Sequence, residues 1–363
     1  MMKNWHIGKN ILLSDHENMV STFTGVHEFR EDGGFRIWYS RAHLREIKFN
    51  FGYLDVDAEL NILNDTVAQI STEPYKSGLH ILGIPTDWQL FQPVCIKLDN
   101  GCERIYFWAH SKDSVHRYFA AESTDGINFY VRDHRRPLFY HPNDRAVPFD
   151  ELKHSELTIY CNREFSPVPD EPAATADLLM NDATNVYRLE DGSFELYAAQ
   201  VFTRNVLPGK KTPREPYFRT IQRRTSPDGL HWSKPQVVLK PDEQDDYDLQ
   251  FYYLSVTHTP EGRIGLLGHY HSDPGVMDIE FCYSADGIQW TRERIPDFPR
   301  PAEVGMVVAP HCLLKKEDKY FMFYTCDLIN HRGEYVDKFA SPDTPLSRID
   351  YAELSCSEVP IKF

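Results

Sequence analysis

The chain has 363 residues, with 39 Lys+Arg against 54 Asp+Glu for a formal charge of −15, and pairs a hydrophobic fraction of 41% with a charged fraction of 26%. These proportions are those of a folded globular protein and argue against disorder, collagen and coiled coil, while the acidic balance speaks against a nucleic-acid partner. No stretch approaches the roughly 18 unbroken apolar residues of a membrane span, residues 1–10 carry no hydrophobic signal core, and seven cysteines without a Cys-x-x-Cys pair fit reduced thiols, so a cytoplasmic protein with no membrane partner is expected.

In chain order, one pattern recurs. The first unit, 16–75, offers an inner strand over 20–28, a tight turn at Glu31-Asp-Gly-Gly34, an aromatic-rich strand over 35–40 and a second turn at Leu54-Asp-Val-Asp-Ala-Glu-Leu60. The second, 76–140, has strands over 90–98 and 104–109 joined at Asp99-Asn-Gly101, then Ser123-Thr-Asp-Gly-Ile-Asn-Phe129. An insert over 139–180, rich in Pro and charge, follows near the active face, with a short helix over 149–157. The third unit, 181–240, has strands over 184–189 and 194–199 about Glu190-Asp-Gly192. A long connection over 203–217 carries Arg204, Lys210, Lys211 and Arg214 and leads to Ser226-Pro-Asp-Gly-Leu-His-Trp232. The fourth, 246–298, has strands over 251–259 and 264–269 about Pro260-Glu-Gly262, then Ser284-Ala-Asp-Gly-Ile-Gln-Trp290. The fifth, 303–355, has strands over 307–314 and 320–325 about Lys316-Glu-Asp318, with Ser341-Pro-Asp-Thr-Pro345 as a degenerate copy of the Ser-x-Asp-Gly turn.

Asp-Gly between alternating apolar runs is a hairpin signal, because Gly takes positive φ cheaply and Asp bonds its own turn. Each unit therefore predicts a four-stranded meander. A sheet apolar on both faces cannot bury itself alone, and radial stacking of similar sheets is the usual solution. The expected fold is all-β: a five-bladed β-propeller with four-stranded antiparallel blades around a central axis, one domain over 1–363. An end of the chain, 5–13 or 359–363, would close the ring.

Strand direction alternates in a meander, so both kinds of tight turn share one face and the inner-strand starts open on the other. Carboxylates precede these starts: Asp15 and Glu17, Asp87, Asp182, the trio Asp245, Asp246 and Asp248, and Glu303. Gathered at an axis, they would raise one another's pKa, so that one stays protonated while another is ionised. Cleavage of a glycosidic bond needs such a pair, an acid on the leaving oxygen and a carboxylate as nucleophile or base.

The meanders, the Ser-x-Asp-Gly-x-x-Trp turns and the acidic strand starts resemble the five-bladed propeller glycosidases, among them the fructosidase-like family 32 and the arabinosidase-like family 43 of glycoside hydrolases. Met180-Asn-Asp-Ala-Thr-Asn185 is similar to the Met-Asn-Asp-Pro-Asn segment that carries the fructosidases' nucleophile, which points to Asp182. The order of catalytic groups in that family then implies Asp248, orienting the sugar and stabilising the transition state, and Glu303 as general acid. Ala183 stands where the family has Pro, Asp248 lacks an Arg-Asp-Pro context, and Glu303 lies in Ala-Glu-Val-Gly rather than beside a Cys. The segment falls in the third blade, so the equivalence treats the ring as permuted; in the usual frame Asp15 or Asp87 is the first member.

The same face offers Asp15, Asp87, Trp88, Gln92, His110, Arg204, His269, His271 and Asp327 for substrate binding, and Tyr252 and Tyr253 for stacking on a sugar. His269 and His271 straddle Tyr270, point the same way, and with Asp273 could hold a sugar or a metal; sugar is the assignment, and no metal or cofactor is required. The expected activity is hydrolysis of a terminal or short-chain glycoside, with a carbohydrate as substrate. Two alternatives stand beside it: a glycoside phosphorylase, with phosphate held by Arg204, Lys210 or His271, and a non-catalytic propeller that binds a carbohydrate or a protein.

Overall fold

The computed structural model describes residues 3–43, 45–46, 48–111, 116–142, 176–203, 213–215 and 217–359. Regular structure among them is almost entirely β, with two single-turn 3₁₀ segments at Ala176–Leu178 and Cys356–Glu358. The expected helix over 149–157, with Lys210 and Lys211, lies outside the described residues.

The repeated turns are built alike. In each full copy the Ser hydroxyl accepts the Gly N–H, at 3.0 Å for Ser123, 2.8 Å for Ser226 and 2.8 Å for Ser284. The Asp carboxylate accepts the next two backbone N–H groups, as Asp228 does from Leu230 at 2.9 Å and His231 at 2.8 Å. Gly126, Gly229 and Gly287 all take positive φ, which lets the chain reverse over so few residues. These local bonds set the hairpins, and the hairpins set the meanders.

Asn18–Ser21 and His27–Phe29 pair antiparallel with Phe35–His43, then come Lys48–Val56 and Ile62–Ser71. Gln89–Lys97, Glu103–His110, His116–Ser123 and Asn128–Val131 follow the same order. So do Asn185–Arg188, Phe194–Thr203, Tyr217–Ser226 and Gln236–Leu239. Leu249–Thr259, Gly262–His271, Val276–Ser284 and Thr291–Pro296 form the next meander. In the last, Met306–Val308 and Leu314–Lys316 pair with Lys319–Asp327, which pairs with Ser347–Ser355. The free edge of Ser347–Ser355 takes His6–Leu13, so the two ends of the chain meet in one sheet.

That last pairing corrects one expectation. Ser341–Pro345 does not join a third strand to a fourth; it precedes Ser347–Ser355, and the fourth strand comes from the other end of the chain. A turn that nothing needs to close has lost its Gly. The first and last inner strands are also each split. Thr24 takes φ 59 and Gly25 N–H donates to the Thr22 carbonyl at 2.8 Å, while Pro310 in the last has no N–H to give. The two breaks meet, His311 N–H donating to the Gly25 carbonyl at 3.2 Å.

Middle strands are apolar on both faces: Ile105, Tyr106, Phe107, Trp108 and Ala109 are all fully buried. Successive sheets share the resulting cores. Trp38 and Phe51 cluster with Ile105 and Phe107, Tyr106 and Trp108 with Val186 and Leu196, and Tyr197 and Ile221 with Leu254 and Leu267. Leu266 and Ile279 cluster with Met322 and Tyr324, and Phe323 and Ile349 with Ile37 and Leu54 of the first sheet. Each such large apolar side chain contributes about 1.5–3 kcal/mol when fully buried, so the interfaces rather than the strands stabilise the fold.

The turns also lock to neighbouring sheets. Tyr106 donates its hydroxyl to the Gly229 carbonyl at 3.1 Å, and a Cβ on Gly229 would stand 2.3 Å from that hydroxyl. Gly101 has φ of +79 like the +74 of Gly229 but meets nothing within 4 Å. Gly101→Ala is therefore expected to cost about 1 kcal/mol from backbone strain alone, and Gly229→Ala about 2–3 kcal/mol. Urea unfolding of the two variants checks this; equal losses would show that the Tyr106 contact does not constrain the turn.

Candidate active site

The inner strands bulge at a common level. Register shifts fall between Phe91 and Val94 and between Phe251 and Leu254, and Thr24, Gln92 and Ala183 take positive φ of 59, 55 and 63. Non-glycine residues held there cost on the order of 1–3 kcal/mol each and persist only where surroundings over-determine them. Here the over-determination is visible: Gln92 Oε1 accepts the Ala183 N–H at 3.0 Å, Gln92 Nε2 donates to Asp182 Oδ2 at 3.4 Å, and the Gln92 N–H donates to Ser40 Oγ at 3.0 Å. Asn181 Nδ2 donates to the other Asp182 oxygen at 2.9 Å. Gln92 thus ties two adjacent sheets together and aims the Asp182 carboxylate.

Asp182 faces two confluent cavities. The inner one, about 140 Å³, is lined from every sheet: Ser21, Gln92, Tyr252 and Met306 from inner strands and Asp182 from the loop just before Asn185–Arg188. It shares Ser21, Phe23, Gln92 and Asp182 with an outer cavity of about 1170 Å³ formed by the first two sheets. Asp87, Trp88, Phe91 and His110 line the outer cavity, together with Arg41, His43 and Lys48.

A second carboxyl lines the inner cavity. Asp327 is 4% exposed, its Oδ1 has no hydrogen-bond partner among the described residues, and burial pushes it up to about 8. Near neutrality its carboxyl carries a proton. Beside it, His331 Nε2 meets the Tyr252 hydroxyl at 2.8 Å, and His331 Nδ1 meets that of Tyr270 at 3.2 Å. Tyr270 also donates to Glu215 at 2.8 Å, and Glu215 accepts from Arg219 at 2.9 Å. Burial, with Arg219 nearby, lowers His331 to about 4, so its ring is neutral at pH 7. Burial raises Glu215, but Arg219 and the hydrogen bonds outweigh it and the net shift is downward. Burial and then the Asp182 charge raise the Tyr252 phenol, which couples the two clusters electrostatically.

The residues singled out by the sequence fall into distinct places. Asp182, Asp87, Trp88, Gln92, His110 and Asp327 line one or both cavities, as do Tyr252 and Tyr253. Asp248 lines neither: its Oδ1 accepts from His271 Nδ1 at 3.0 Å and its Oδ2 from the Asp273 N–H at 3.1 Å. Glu303 is exposed in the turn before Met306–Val308, away from both. Asp15 caps its own turn, accepting the N–H groups of Glu17 and Asn18 at 2.7 Å each. His269 and His271 line a separate cavity of about 260 Å³. Arg204 lies outside the described residues. The cavity side chains come from several settings: Gln92 and Tyr252 from bulges inside their strands, Asp87 and Asp182 from the loops just before Gln89–Lys97 and Asn185–Arg188, and Asp327 from the end of Lys319–Asp327, so position before a strand does not by itself decide which carboxylates reach the cavity. Glu215, Tyr270 and His331 were not singled out for roles; Glu215 and His331 sit in the long connections of this face, the one signal that could have found them.

No family model matches the chain, and no curated protein sequence does. Solved structures do match in fold. A structure described as a complex with RGII superposes with a TM-score of 0.59 at 10% identity, covering 97% of this protein and 91% of that one. A thermostable family-43 glycoside hydrolase gives 0.54 at 12%, covering 92% and 89%. A member of the family-130 mannoside phosphorylases, a family described as containing glycoside hydrolases that target β-1,2 mannosidic linkages in Candida mannan, gives 0.55 at 11%, covering 96% and 94%. The protein therefore has the fold of the propeller glycosidases along nearly its whole length.

The buried groups set a pH signature for stability. Asp327 releases its proton near its ordinary 3.8 when unfolded and near 8 when folded, so it favours the fold at low pH and its contribution is lost as pH rises through that interval, by up to about 1.4 kcal/mol per unit. Burial holds His27 at about 3 and His311 and His331 at about 4, below their ordinary 6.5, so these favour the fold above 6.5 and lose their contribution as pH falls. Urea midpoints should rise up to about pH 6.5 and fall from there to pH 8, and Asp327→Asn should steepen the lower rise and flatten the upper fall. Parallel wild-type and variant profiles between pH 6.5 and 8 would mean that Asp327 is not raised.

Proposed function

We propose that the chain is a single five-bladed β-propeller of four-stranded blades, closed by His6–Leu13, and that it cleaves a terminal or short-chain glycosidic bond in the cavity at its axis. The cyclic sharing of hydrophobic clusters from the first sheet round to the last supports the ring. One observation carries the activity: Asp182 and Asp327, two carboxyls in unlike surroundings, line the same 140 Å³ space where all the inner strands converge.

Two carboxyls whose environments differ divide the labour of acid and base. Asp327, desolvated and protonated, gives its proton to the leaving oxygen. Asp182, aimed by amide donors from Gln92 and Asn181, acts from the other side as nucleophile or as base to a water. Gln92 serves as a positioning residue. Trp88 and Phe91 offer apolar faces to a sugar in the outer cavity, with Asp87 and His110 for its hydroxyls. Asp327 takes the acid role that the family order gave Glu303.

Phosphorolysis would need cations free to hold phosphate. Among the described residues of the outer cavity Arg41 is paired with Asp65 at 2.7 Å and Lys48 with Glu46, while Arg204 and Lys210 lie outside the described residues, so hydrolysis is the proposed reaction and phosphate dependence its test.

A panel of aryl glycosides and short oligosaccharides, with and without phosphate, tests the proposal. Turnover without phosphate is expected, with kcat reduced about 100-fold or more in Asp182→Asn and in Asp327→Asn, near-wild-type rates in Asp248→Asn and Glu303→Gln, and an alkaline limb near pH 8 that vanishes with Asp327. Full activity in Asp327→Asn with loss in Glu303→Gln would restore the family order. Phosphate dependence would establish a phosphorylase, and binding without turnover a lectin-like propeller.

A further inference from the structure

Outside the axial cavity, one cluster is unexplained by the chemistry above. His269 and His271 stand on the face of Gly262–His271 opposite Tyr270, and their Nε2 atoms approach to 3.2 Å. Each ring is held from behind by a carboxylate. Glu280 accepts from His269 Nδ1 at 2.9 Å and Asp248 from His271 Nδ1 at 3.0 Å. With each Nδ1 turned to a carboxylate, the two Nε2 atoms, and any lone pairs they carry, face each other across a single gap of 3.2 Å. Something positive belongs between them.

We propose that His269 and His271 form the core of a site for a divalent transition cation of the zinc type, with the Asp246 carboxylate as third ligand. Three observations support it beyond the lone pairs. At a metal–nitrogen distance of roughly 2.05 Å, nitrogens 3.2 Å apart subtend about 103° at the ion, close to tetrahedral. A carboxylate behind each ligating histidine is the usual outer support of such sites, fixing tautomer and ring orientation. Finally, Asp242, Asp245, Asp246, Asp248 and Glu280 are gathered here against Arg292 and Arg294, an excess of negative charge that a divalent ion offsets. A cavity of about 260 Å³ opens on both histidines.

Among the described residues no three such side chains already converge as a ligand set. Asp246 Oδ2 lies 4.0 Å from His271 Nε2 and its side chain is 78% exposed, so it is free to swing in. Imidazole and carboxylate donors suit zinc better than calcium or magnesium, which take oxygen. A bound ion would cross-link the end of Gly262–His271 to the start of Leu249–Thr259, bracing the strand whose Tyr270 holds Glu215 and His331 on its other face. The site stands whether or not the axial cavity is hydrolytic.

The test uses the full chain, stripped with a chelator and titrated with Zn²⁺ alone at pH 7.5 against a chromogenic competitor, followed by Co²⁺ spectroscopy and thermal melting. One equivalent should bind at micromolar concentration or tighter, a tetrahedral Co²⁺ band should appear, and the melting temperature should rise. His271→Gln, at a partly exposed ring, should weaken binding about 100-fold, and Asp246→Asn, at an exposed carboxylate, about tenfold, both with folded protein by circular dichroism. No stoichiometric binding by wild type would overturn the proposal, leaving a proton shared between the rings. So would wild-type affinity in folded His271→Gln, which would place the metal on other histidines.

Discussion

A sheet that is apolar on both faces has to be covered twice, and the rest of this molecule follows from that need. Trp108 and Tyr106 on one side of their strand, Phe107 and Ile105 on the other, are of no use to a sheet that stands alone. Each sheet therefore packs on the one before and the one after, and the last returns to the first through Phe323, Ile349, Ile37 and Leu54. Pairing His6–Leu13 with Ser347–Ser355 adds hydrogen bonds between distant ends of the chain at the seam where the ring would otherwise be held by side chains alone.

Stacking sheets side by side brings their inner strands together, and there regular pairing gives way. Gln92 and Ala183 sit in left-handed backbone at adjacent positions of adjacent sheets, each stabilised by the other through the Gln92 side chain. An ordinary extended strand would point its side chains alternately into the two neighbouring sheets. A bulge turns one of them inward instead, which is how Gln92 and Tyr252 reach the cavity. The strain is local, and the large buried interfaces on both sides compensate for it.

This division explains what the sequence could tell. Ser-x-Asp-Gly turns are held by bonds within a few residues, so their spelling was sufficient to place the three hairpins that carry it in full. Asp182 was singled out by the resemblance of a short segment, and it does line both cavities, but the Gln92 amide that holds it comes from another sheet and is not written in that segment. Asp248 and Glu303 were chosen for preceding a strand, and position before a strand does not say which way a side chain turns; the bulge at Phe251–Leu254 brings Tyr252 to the cavity and leaves Asp248 bonded to His271. His269 and His271 were expected to point the same way, and they do, but into a cavity separate from the two that Asp182 lines. The proton on Asp327 was illegible, because desolvation depends on what a distant part of the chain packs against it.

The two carboxyls at the axis differ because of where each lies in the ring. Asp182 belongs to the loop before Asn185–Arg188, at the edge of the large outer cavity, among amides that donate to it. Asp327 ends the strand Lys319–Asp327, flanked in register by Met306 on one side and Ser347 on the other, inside the sheet that the N-terminal strand completes. Burial raises the Asp327 carboxyl, whereas Asp182 stands among donating amides at the edge of the outer cavity, so the two carboxyls meet unlike surroundings in one space. Under the proposed mechanism that difference is what the site would use: replacing either carboxyl by an amide leaves one group where two unlike ones stood, and removes the division between acid and base that cleavage would need.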